Sequence, residues 1–575
     1  FYELGLEEDY FFLLAQAYHL DYRFDEAILA YDKFIHLSGK RDKRKKEVER
    51  WIDMCMDAKS LISSPVQVDI QNLGSKVNSA KAEHTPVISA DESVIIFNSN
   101  RKGSIGGKMN IFGQPDTVYG HYFDDIYVSI NINDNWLKPV KIGAGLNTPQ
   151  HDDVVSISPD GQTLFIYRSD SMVYGNLFYC ELMGYSWGPL HKLPAPINSK
   201  YWENSGSISS DGNTFYMSSN RPGATGDGDF DIYMIRRLPD GSWAEPQNLG
   251  NMINTKYDEY APFIHPDGKS LYFSSKGHNS MGGYDIFKST LLNGKWSIPV
   301  NLGHPINTPD DDVDFVLSGD GKRGYYSSAR PGGSGEKDIY VINFNSEYKD
   351  LSPGPVTLFK GTITTCDQQV ANNAQLKVYD NISGELMGVY RPNSATGKYM
   401  VIIPKGVDYN IEVTADNYQT YNLNVVTAKN EPYLEEESNF ILCPVAINDT
   451  CVAVCEDGSF IEKSVAEVIV DISSVIAEDD NVVTIKNREL SINVWKNDIA
   501  AEGELKKGDI IWTSSISFVA SANCAVYCGA KVDLLDIDKE TFNIDLNKLE
   551  KKLKIYKKIK SLPKIIIPVH LAGNP

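Results

Sequence analysis

The stretch from Trp243 to Phe287 decides the fold, because it carries one complete copy of a repeated pattern. It reads W-A-E-P-Q-N-L-G at 243–250, I-N-T at 253–255, H-P-D-G-K-S-L-Y-F-S-S at 265–275 and G-G-Y-D-I-F at 282–287. The asparagine of the I-N-T motif recurs at intervals of 69, 51, 56 and 53 residues, at Asn78, Asn147, Asn198, Asn254 and Asn307. A period near fifty, with short strands and Gly-containing turns, predicts a five-bladed β-propeller over residues 63–350.

Each copy predicts four short strands: the Trp-x-x-Pro-x-x-Leu segment, the segment before the acidic-Gly turn, the L-Y-F-S-S segment and the Asp-Ile-Tyr segment. In the turn, Asp caps its own backbone and Gly takes the left-handed conformation. The turns are Pro159–Gly161, Ser210–Gly212, Pro266–Gly268 and Gly319–Gly321. The first copy departs at its turn, Ala90-Asp91-Glu92, and the second has N-L-F-Y-C-E-L at 176–182 in place of Asp-Ile-Tyr. We expect P-V-Q-V-D-I-Q-N-L-G at 65–74 to supply a closing strand.

Composition limits the function classes. The 575 residues call for several domains, and the net charge of −21 argues against nucleic acid or an anionic membrane surface as the main partner. The sequence contains no apolar run of 18 residues, so we predict no membrane span. Eight cysteines are too few for a disulfide framework. Cys366 and Cys443 either pair in an oxidising compartment or remain two separate thiols.

Residues 1–62 have the pattern of a helical hairpin followed by a third helix. Apolar and small residues recur at helical spacing, at Leu14, Ala15, Tyr18, Phe24, Ala27, Tyr31 and Phe34. This stretch resembles a tetratricopeptide repeat, in which Ala15 and Ala27 let two helices approach closely. Because one repeat cannot bury its own faces, we expect further repeats upstream of Phe1.

The five copies resemble the TolB-type, WD-like propeller repeat of periplasmic proteins. Residues 356–445 alternate polar and apolar residues and resemble the carboxypeptidase regulatory-like β-sandwich, with Gly384, Gly397, Tyr399, Gly406 and Tyr418 at its turn and strand positions. The order of helical repeat, propeller and β-sandwich resembles the PorE family of periplasmic proteins of the type IX secretion machinery. That family implies a further OmpA-like module that binds peptidoglycan, and the sequence contains no match to it.

The last part of the chain differs from everything before it. Residues 446–504 form a predicted linker, in which 477–498 resembles an adhesin-like or cadherin-like strand pair. Residues 505–575 alternate strand and helix, which is typical of a parallel α/β sheet. They resemble the DegT/DnrJ/EryC1/StrS sugar aminotransferases through K-G-D at 507–509, T-S-S-I-S-F-V-A-S-A-N at 513–523, G-A at 529–530, D-I-D at 536–538 and P-V-H-L-A-G at 568–573.

The aminotransferase resemblance implies that Phe518 stacks on a pyridoxal phosphate ring. The family also needs a Schiff-base lysine, an aspartate for the pyridinium nitrogen and a phosphate cradle. None of these has a match here, since Lys557, Lys558 and Lys560 lie in a Lys-rich amphipathic helix and its exit loop. We therefore expect this fragment to be inactive and the chain to need no cofactor, and we interpret the junction as a misjoined or truncated fragment, with a genuine fusion as the alternative.

Two motifs inside the repeats invite functional interpretations. Gly184-Tyr185-Ser186-Trp187-Gly188 fits the G-x-S-x-G nucleophile elbow, but Trp187 occupies the aromatic position of the repeat, which predicts a blade connection. Asp227, Asp229 and Asp231 alternate like calcium ligands, but Asp231 belongs to the repeated strand, which favours a structural turn. We predict neither a catalytic residue nor a metal site.

The fold class predicted is therefore multidomain and mainly β: an α-helical repeat, a five-bladed β-propeller, a β-sandwich and a truncated α/β fragment. We expect a non-enzymatic scaffold of the cell envelope, periplasmic or associated with the outer membrane, whose partners are envelope or secretion-system proteins. Peptidoglycan would be reached only through the further module. The alternatives are a sugar-nucleotide aminotransferase carried by the C-terminal fragment and a propeller that binds glycans through exposed Tyr and Trp.

Overall fold

The chain is mainly β, as the sequence predicts. The computed structural model describes residues 7–444 except 40, 110–120, 134, 144, 170–174, 224–229, 345–350, 366–368, 372 and 428–432, together with the backbone of 510–514, 531–535 and 565–567. The chain divides into two compact units, Phe1–Asp457 and Gly458–Pro575. Within the described residues, no helix is long and apolar enough to cross a membrane.

The N-terminal part is helical over α1 (Glu7–Leu20), α2 (Phe24–Leu37) and α3 (Arg44–Ser63). Ala15 of α1 and Ala27 of α2 are fully buried at the helix contact, where small side chains allow close approach. Tyr31 and Phe34 fill the space towards α3. The hairpin is thus present, and its assignment to the tetratricopeptide repeats stays a prediction.

Five antiparallel sheets follow in the described part of Val68–Phe344, and we call them together the sheet ring. Strand β1 (Val68–Asn72) precedes the first sheet, which consists of β2 (Glu83–Ile88), β3 (Val94–Ser99), β6 (Asp125–Ile132), β7 (Asn135–Trp136) and β8 (Val140–Lys141), while β4 (Gly107–Met109) and β5 (His121–Tyr122) form a separate ribbon. The second sheet consists of β9 (Asp152–Ile157), β10 (Thr163–Ser169), β11 (Gly175–Met183), β12 (Ser186–Trp187) and β13 (His191–Lys192), and the third of β14 (Glu203–Ile208), β15 (Thr214–Ser219), β16 (Asp231–Arg236) and β17 (Gln247–Asn248). The fourth sheet consists of β18 (Glu259–Ile264), β19 (Ser270–Ser275), β20 (Asp285–Leu292), β21 (Lys295–Trp296) and β22 (Val300–Asn301), and the fifth of β23 (Asp312–Leu317), β24 (Arg323–Ser328) and β25 (Asp338–Phe344), with β1 paired to it.

The inner strands β2, β9, β14, β18 and β23 contact one another in a closed cycle. Both faces of each sheet are buried against neighbouring sheets, so the second strand of each sheet is buried along most of its length. In β19, Leu271 and Phe273 pack towards the third sheet and Tyr272 packs towards the fifth. The period of two along the strand therefore sends alternate side chains to the two neighbours.

Strand β1 closes the ring, as predicted for residues 65–74. It pairs antiparallel with β25, from Val68 opposite Phe344 to Asn72 opposite Tyr340. The pairing also corrects the predicted composition of each unit. The Trp-x-x-Pro-x-x-Leu segment belongs to the sheet of the preceding copy, since β17 pairs with β16. Each sequence copy is thus shifted by one strand relative to a sheet, and this shift lets the first segment complete the last sheet.

The repeated asparagine clamps each sheet to the connection that follows it. Asn254 Oδ1 accepts a hydrogen bond from Ile232 N at 2.8 Å, and Asn254 Nδ2 donates to Ile232 O at 3.0 Å. Asn147, Asn198 and Asn307 make the same two-way contact with the middle of the preceding sheet. Asn78 makes it with Ile339 of the fifth sheet, so the clamp also spans the closure.

The irregular turn of the first copy has a structural reason. Glu92 stands where the other copies have Gly, and its φ of 53° keeps the left-handed turn conformation. Its carboxylate accepts hydrogen bonds from Arg323 Nε and Tyr325 Oη, both at 2.9 Å. The departure from the repeat therefore joins the first sheet to the fifth beside the closure.

A two-sheet β-sandwich packs on the end of the sheet ring that carries the acidic-Gly turns. Gly354 N donates to Asp267 Oδ2 at 2.7 Å, and Ile402 packs against Ala90. One sheet has the order β29-β26-β32 with β33 beside β26, and the other has the order β28-β27-β30-β31. The strands are β26 (Val356–Thr365), β27 (Gln375–Asp380), β28 (Leu386–Tyr390), β29 (Lys398–Pro404), β30 (Tyr409–Thr414), β31 (Tyr421–Val425), β32 (Leu434–Glu437) and β33 (Phe440–Leu442).

In the second unit, three strands are described by their backbone: β34 (Ile510–Ser514), β35 (Lys531–Leu535) and β36 (Ile565–Ile567). They pair in parallel in the order β35-β34-β36. A parallel sheet is what the alternating pattern of 505–575 predicts. The linker at 446–504 lies outside the described residues.

The helices are fastened to the fourth sheet by Arg50 and His19. Arg50 Nη2 donates to the carbonyl oxygens of Lys276, Gly277 and His278 at 2.8, 2.9 and 3.1 Å. His19 Nε2 contacts Met281 O at 2.9 Å, and Tyr31 Oη lies 3.5 Å from His19 Nδ1. A buried guanidinium that meets three carbonyls fixes both position and orientation.

Removing the clamp at Asn254 tests its role in the ring. We expect Asn254→Ala to lower the free energy of unfolding by about 3 kcal/mol, because Ile232 N–H and C=O lose their buried partner. Asn251→Ala, three residues earlier and exposed, is the matched control and should change it by less than about 0.5 kcal/mol. Urea unfolding followed by tryptophan fluorescence measures both. Equal midpoints for the two variants would contradict a structural clamp.

The docking of the helices is tested by Arg50→Met, which keeps the apolar stem and removes the donors. We expect it to weaken docking by roughly 3 kcal/mol, since charged hydrogen bonds are lost. The measurement is hydrogen exchange of the α3 amides, which should accelerate while those of the ring stay protected. Lys59→Met removes an exposed ion pair with Asp25 and serves as the control. Unchanged exchange in α3 would show that other contacts hold the helices.

Candidate functional site

A cavity of about 140 Å³ lies at the centre of the sheet ring. Every inner strand contributes polar side chains to its lining, among them His84, Asp153, Asn204, Tyr260 and Asp314. The far ends of the same strands, next to the acidic-Gly turns, line a smaller apolar space with Val87, Ile157, Ile208, Ile264 and Leu317. The β-sandwich packs on the apolar end, so the polar chemistry concentrates at the other end.

A buried acidic residue at the start of each inner strand fixes where the lining residues stand. Glu259, for example, accepts hydrogen bonds from Thr255 N at 2.8 Å and Thr255 Oγ1 at 2.7 Å. The same contact from a Ser or Thr four residues earlier recurs in every sheet, at Glu83, Asp152, Glu203 and Asp312. The cavity residues follow directly after these anchors, or two residues later in the fifth sheet.

Strained backbone lies beside the cavity. Thr85, Ala261 and Asp314 have φ values of 50°, 48° and 59°, at bulges in their inner strands. The left-handed region is a marked outlier for a β-branched residue such as Thr85. Thr85 N donates to Asp314 Oδ2 at 3.1 Å, which holds the two strained residues together across the first and fifth sheets. Backbone strain of this kind concentrates at functional sites.

Two histidines share one carboxylate at the polar end. Asp124, in the loop before β6, lies with Oδ1 3.3 Å from His84 Nε2 and with Oδ2 3.0 Å from His151 Nδ1. Asp153 approaches from β9, and His84, Asp124 and Asp153 can each place one ligand atom within 4.8 Å of the other two. We call these four residues the His-Asp cluster.

The cluster shifts the acidity of its own members. Burial lowers the pKa of His84, but the hydrogen bond and charge of Asp124 outweigh it and raise the pKa to about 9. Burial raises the pKa of Asp124, yet the two histidines outweigh this effect and hold that pKa well below its usual range. Burial, aided by the charge of Asp124, raises the pKa of Asp153 to about 7. Perturbed groups that meet in a cavity are typical of a functional site.

Several oxygen atoms of the lining have no hydrogen-bond partner among the described residues: Asp153 Oδ1, Asp314 Oδ1 and Asn204 Oδ1. Buried acceptors are almost always paired in folded proteins. Asp314 is the most enclosed of the three, since only 6% of its surface is exposed. The cavity therefore presents acceptors to whatever occupies it.

Among the described residues, the fourth sheet has no counterpart of an ion pair that the other four sheets possess. Arg101, Arg168, Arg221 and Arg330 pair with the acidic anchors of their sheets and donate to the carbonyl before the clamping asparagine. In the fourth sheet Gly277 stands where the first, third and fifth sheets have Arg101, Arg221 and Arg330. His278 Nε2 makes the carbonyl contact there, to Ile253 O at 2.9 Å. Because its anchor Glu259 has no arginine there, burial raises the pKa of Glu259 to about 7.

The residues singled out from the sequence fall elsewhere or outside the described part. Gly184 and Tyr185 form the turn between β11 and β12, so the G-x-S-x-G motif lies on a β-hairpin, which is the interpretation the repeat favours. Asp231 is buried in β16, where Asn248 Nδ2 donates to its Oδ2 at 2.6 Å. Asp227, Asp229, Cys366 and Phe518 lie outside the described residues, and the role of Phe518 stays a prediction.

Sequence reasoning missed the His-Asp cluster, although a signal was present. Asp124 stands directly before the Asp-Ile-Tyr strand, where other copies have Phe230, Tyr284 or Lys337. Asp153 follows an anchor that is itself an aspartate. Aligning the five copies on their anchors would have shown both departures.

Comparison with known proteins gives a family for the C-terminal part. Residues 499–575 match the DegT/DnrJ/EryC1/StrS aminotransferase family. Over 67 residues the chain is 43% identical to GDP-perosamine synthase of Caulobacter vibrioides. The matched segment covers 12% of this chain and 16% of the length of that protein. The match is thus to a small part of the relative, and it places an aminotransferase-family segment at this end of the chain.

Among solved structures, the TolB of Acinetobacter baumannii is similar with a TM-score of 0.28 at 13% identity, over 54% of this chain and 72% of that chain. A structure described as a TolB of Agrobacterium tumefaciens gives a TM-score of 0.28 at 13% identity, over 64% and 92%. With TM-scores of 0.28, these similarities say nothing about the function of this chain.

The unpaired anchor predicts a pH dependence of stability. The pKa of Glu259 is raised from 4.5 in the unfolded chain to about 7. The folded state therefore binds a proton on Glu259 more tightly than the unfolded chain does. This contribution to the free energy of unfolding is fully present below pH 4.5 and is lost as the pH rises through about 7. We expect the free energy of unfolding of Glu259→Gln not to fall over this pH range. Relative to the parent protein, the variant should therefore gain up to about 3 kcal/mol between pH 4.5 and pH 8.

Calorimetric melting of both proteins between pH 5 and 8 measures the effect. Glu203→Gln is the matched control, because Glu203 pairs with Arg221 at 2.9 Å. That variant should be destabilised at every pH in this range. A parallel pH dependence of Glu259→Gln and the parent protein would contradict the assignment.

Proposed function

We propose that the chain is a non-enzymatic scaffold of the cell envelope that organises protein partners of the type IX secretion machinery. In this proposal the sheet ring is a five-bladed β-propeller, the helices are a tetratricopeptide-like repeat and the β-sandwich is a carboxypeptidase regulatory-like domain. The order of the three parts along the sequence supports the resemblance to PorE-type proteins. The proposed location is the periplasm, free or associated with the outer membrane.

The observation that carries the proposal is the way in which the three parts are joined. Arg50 fastens the helices to the fourth sheet, and Asn393 Nδ2 donates to Gly184 O at 2.7 Å between the β-sandwich and the second sheet. Such contacts hold the outer surfaces at fixed positions. The helices expose large apolar side chains, among them Leu29 at 63% and Met56 at 53%. Exposed apolar surface on a rigid support is typical of protein-binding sites.

The proposal is tested by cross-linking mass spectrometry in a bacterium that carries a type IX secretion system and expresses this chain. We expect cross-links from the helices to envelope components of that machinery. Leu29→Glu should reduce them at least tenfold, because a charge on the apolar face disfavours association. Ile382→Glu, at an exposed position of the β-sandwich, is the control and should leave them unchanged.

Two outcomes would contradict the scaffold role. The first is cross-linking to cytoplasmic enzymes alone. The second is an equal effect of Leu29→Glu and Ile382→Glu, which would indicate that the helical surface is not the contact.

The second candidate function is that of a sugar-nucleotide aminotransferase that uses pyridoxal phosphate, and the family match of residues 499–575 favours it. Reduction with borohydride after incubation with pyridoxal phosphate, followed by peptide mapping, separates the two candidates. The scaffold proposal expects only scattered labelling of exposed lysines. Stoichiometric labelling of one lysine, with a matching visible absorbance, would support the enzyme.

A further inference from the structure

We propose that a divalent transition-metal ion, with Zn²⁺ as the best fit, binds to His84, Asp124 and Asp153 at the polar end of the central cavity. The inference is independent of the proposed scaffold role. It rests on the placement of the three side chains, on the contacts that orient them and on the unpaired acceptors around them.

The three residues come together from separate parts of the chain. His84 lies in β2, Asp124 precedes β6, and Asp153 lies in β9, so the site spans the first and second sheets. Their ligand atoms lie within 4.8 Å of one another. Ligands of tetrahedral zinc, at bond lengths of about 2.0–2.2 Å, stand roughly 3.4 Å apart. Small side-chain rotations are therefore enough to close the site around an ion.

The surrounding contacts orient His84 as a ligand. Its Nδ1 lies 3.1 Å from Thr85 Oγ1, which in turn lies 3.3 Å from Asp314 Oδ2. In the metal-bound form the ion replaces the proton that Nε2 shares with Asp124. Nδ1–H then donates to Thr85, Thr85 donates to Asp314, and the Nε2 lone pair faces the ion. An imidazole whose second nitrogen donates to a chain that ends in a carboxylate is the usual support of a metal-bound histidine.

The unpaired oxygens give an independent reason to place a cation here. Asp314, whose residue surface is only 6% exposed, has no partner for Oδ1, and the same holds for Asp153 Oδ1 among the described residues. Three carboxylates, those of Asp124, Asp153 and Asp314, come together at this end, and the basic groups that act on them are His84, His151 and Lys337. A bound cation would supply the missing partner to this acidic end.

The ligand set selects the kind of ion. Ca²⁺ and Mg²⁺ prefer oxygen ligands alone, whereas imidazole suits Zn²⁺ and its transition-metal neighbours. Three protein ligands leave one position of a tetrahedral ion open. That position would be open to the cavity, because His84 and Asp153 are part of its lining. The open position would accept water or an anionic group of a ligand.

The test is titration calorimetry of the untagged full chain, stripped with chelator, with Zn²⁺ and with Ca²⁺ as separate probes. We expect one saturable Zn²⁺ site and weaker binding of Ca²⁺. His84→Gln and Asp153→Asn should each weaken Zn²⁺ binding by about a hundredfold or more. His191→Gln, which changes an exposed histidine of β13, is the control for adventitious binding and should leave the affinity unchanged.

Folding and geometry are checked in the same samples. Asp153→Asn preserves shape, so its metal-free melting temperature should match that of the parent protein and keep the result interpretable if His84→Gln does not fold. Co²⁺ in place of Zn²⁺ should give visible absorption bands of tetrahedral intensity that Asp153→Asn abolishes. No saturable Zn²⁺ binding, equal affinity in Asp153→Asn and the parent, or preference for Ca²⁺ would overturn the proposal. In that case the cluster is an ion-pair network between the first two sheets.

Discussion

The sheet ring depends on the hydrogen bonds of one buried asparagine per repeat. A connection between two sheets is a polar segment, and its amides must find partners before it can be buried. The asparagine side chain provides these partners, because its amide both donates a hydrogen bond to the backbone of the preceding sheet and accepts one from it. The side-chain amide thus pairs as the backbone of a neighbouring strand would. Since the acidic anchor follows five residues later, the clamp also sets where each inner strand begins and which residues reach the cavity.

The positions that depart from the repeat are those at which the ring meets something else. Glu92 replaces a turn glycine and joins the first sheet to the fifth. Gly277 replaces an arginine in the sheet on which the helices dock, and Arg50 donates to the backbone at that place. A side chain at Gly277 would collide with Thr255, because a Cβ atom there would lie only 2.1 Å from Thr255 Oγ1. The repeated residues build the five sheets, and the residues that depart from the repeat join the sheets to one another and to the helices.

Much of the fold follows from the sequence, because its determinants are local or periodic. The turns, the strand order within a copy and the closing segment are set by residues a few positions apart, such as Pro266 to Gly268. The assignment of the Trp-x-x-Pro-x-x-Leu segment to a sheet was wrong for a physical reason. A two-residue outer strand such as β17 pairs wherever an edge is free, and nothing in its own sequence tells which sheet offers one. The His-Asp cluster is harder still, because His84 and Asp153 meet only after two sheets have packed.

The closure has a consequence in mechanical terms. The N-terminal end of β1, which leads to the helices, lies opposite the C-terminal end of β25, which leads to the β-sandwich. A pull between these two parts therefore loads the pair in an unzipping geometry, in which hydrogen bonds break one after another from Val68 and Phe344 onwards. A strand pair pulled in shear, with all its hydrogen bonds loaded at once, would resist a far larger force. The contacts of Arg50 lie outside this path, so they shield the seam of the ring from tension transmitted through the helices.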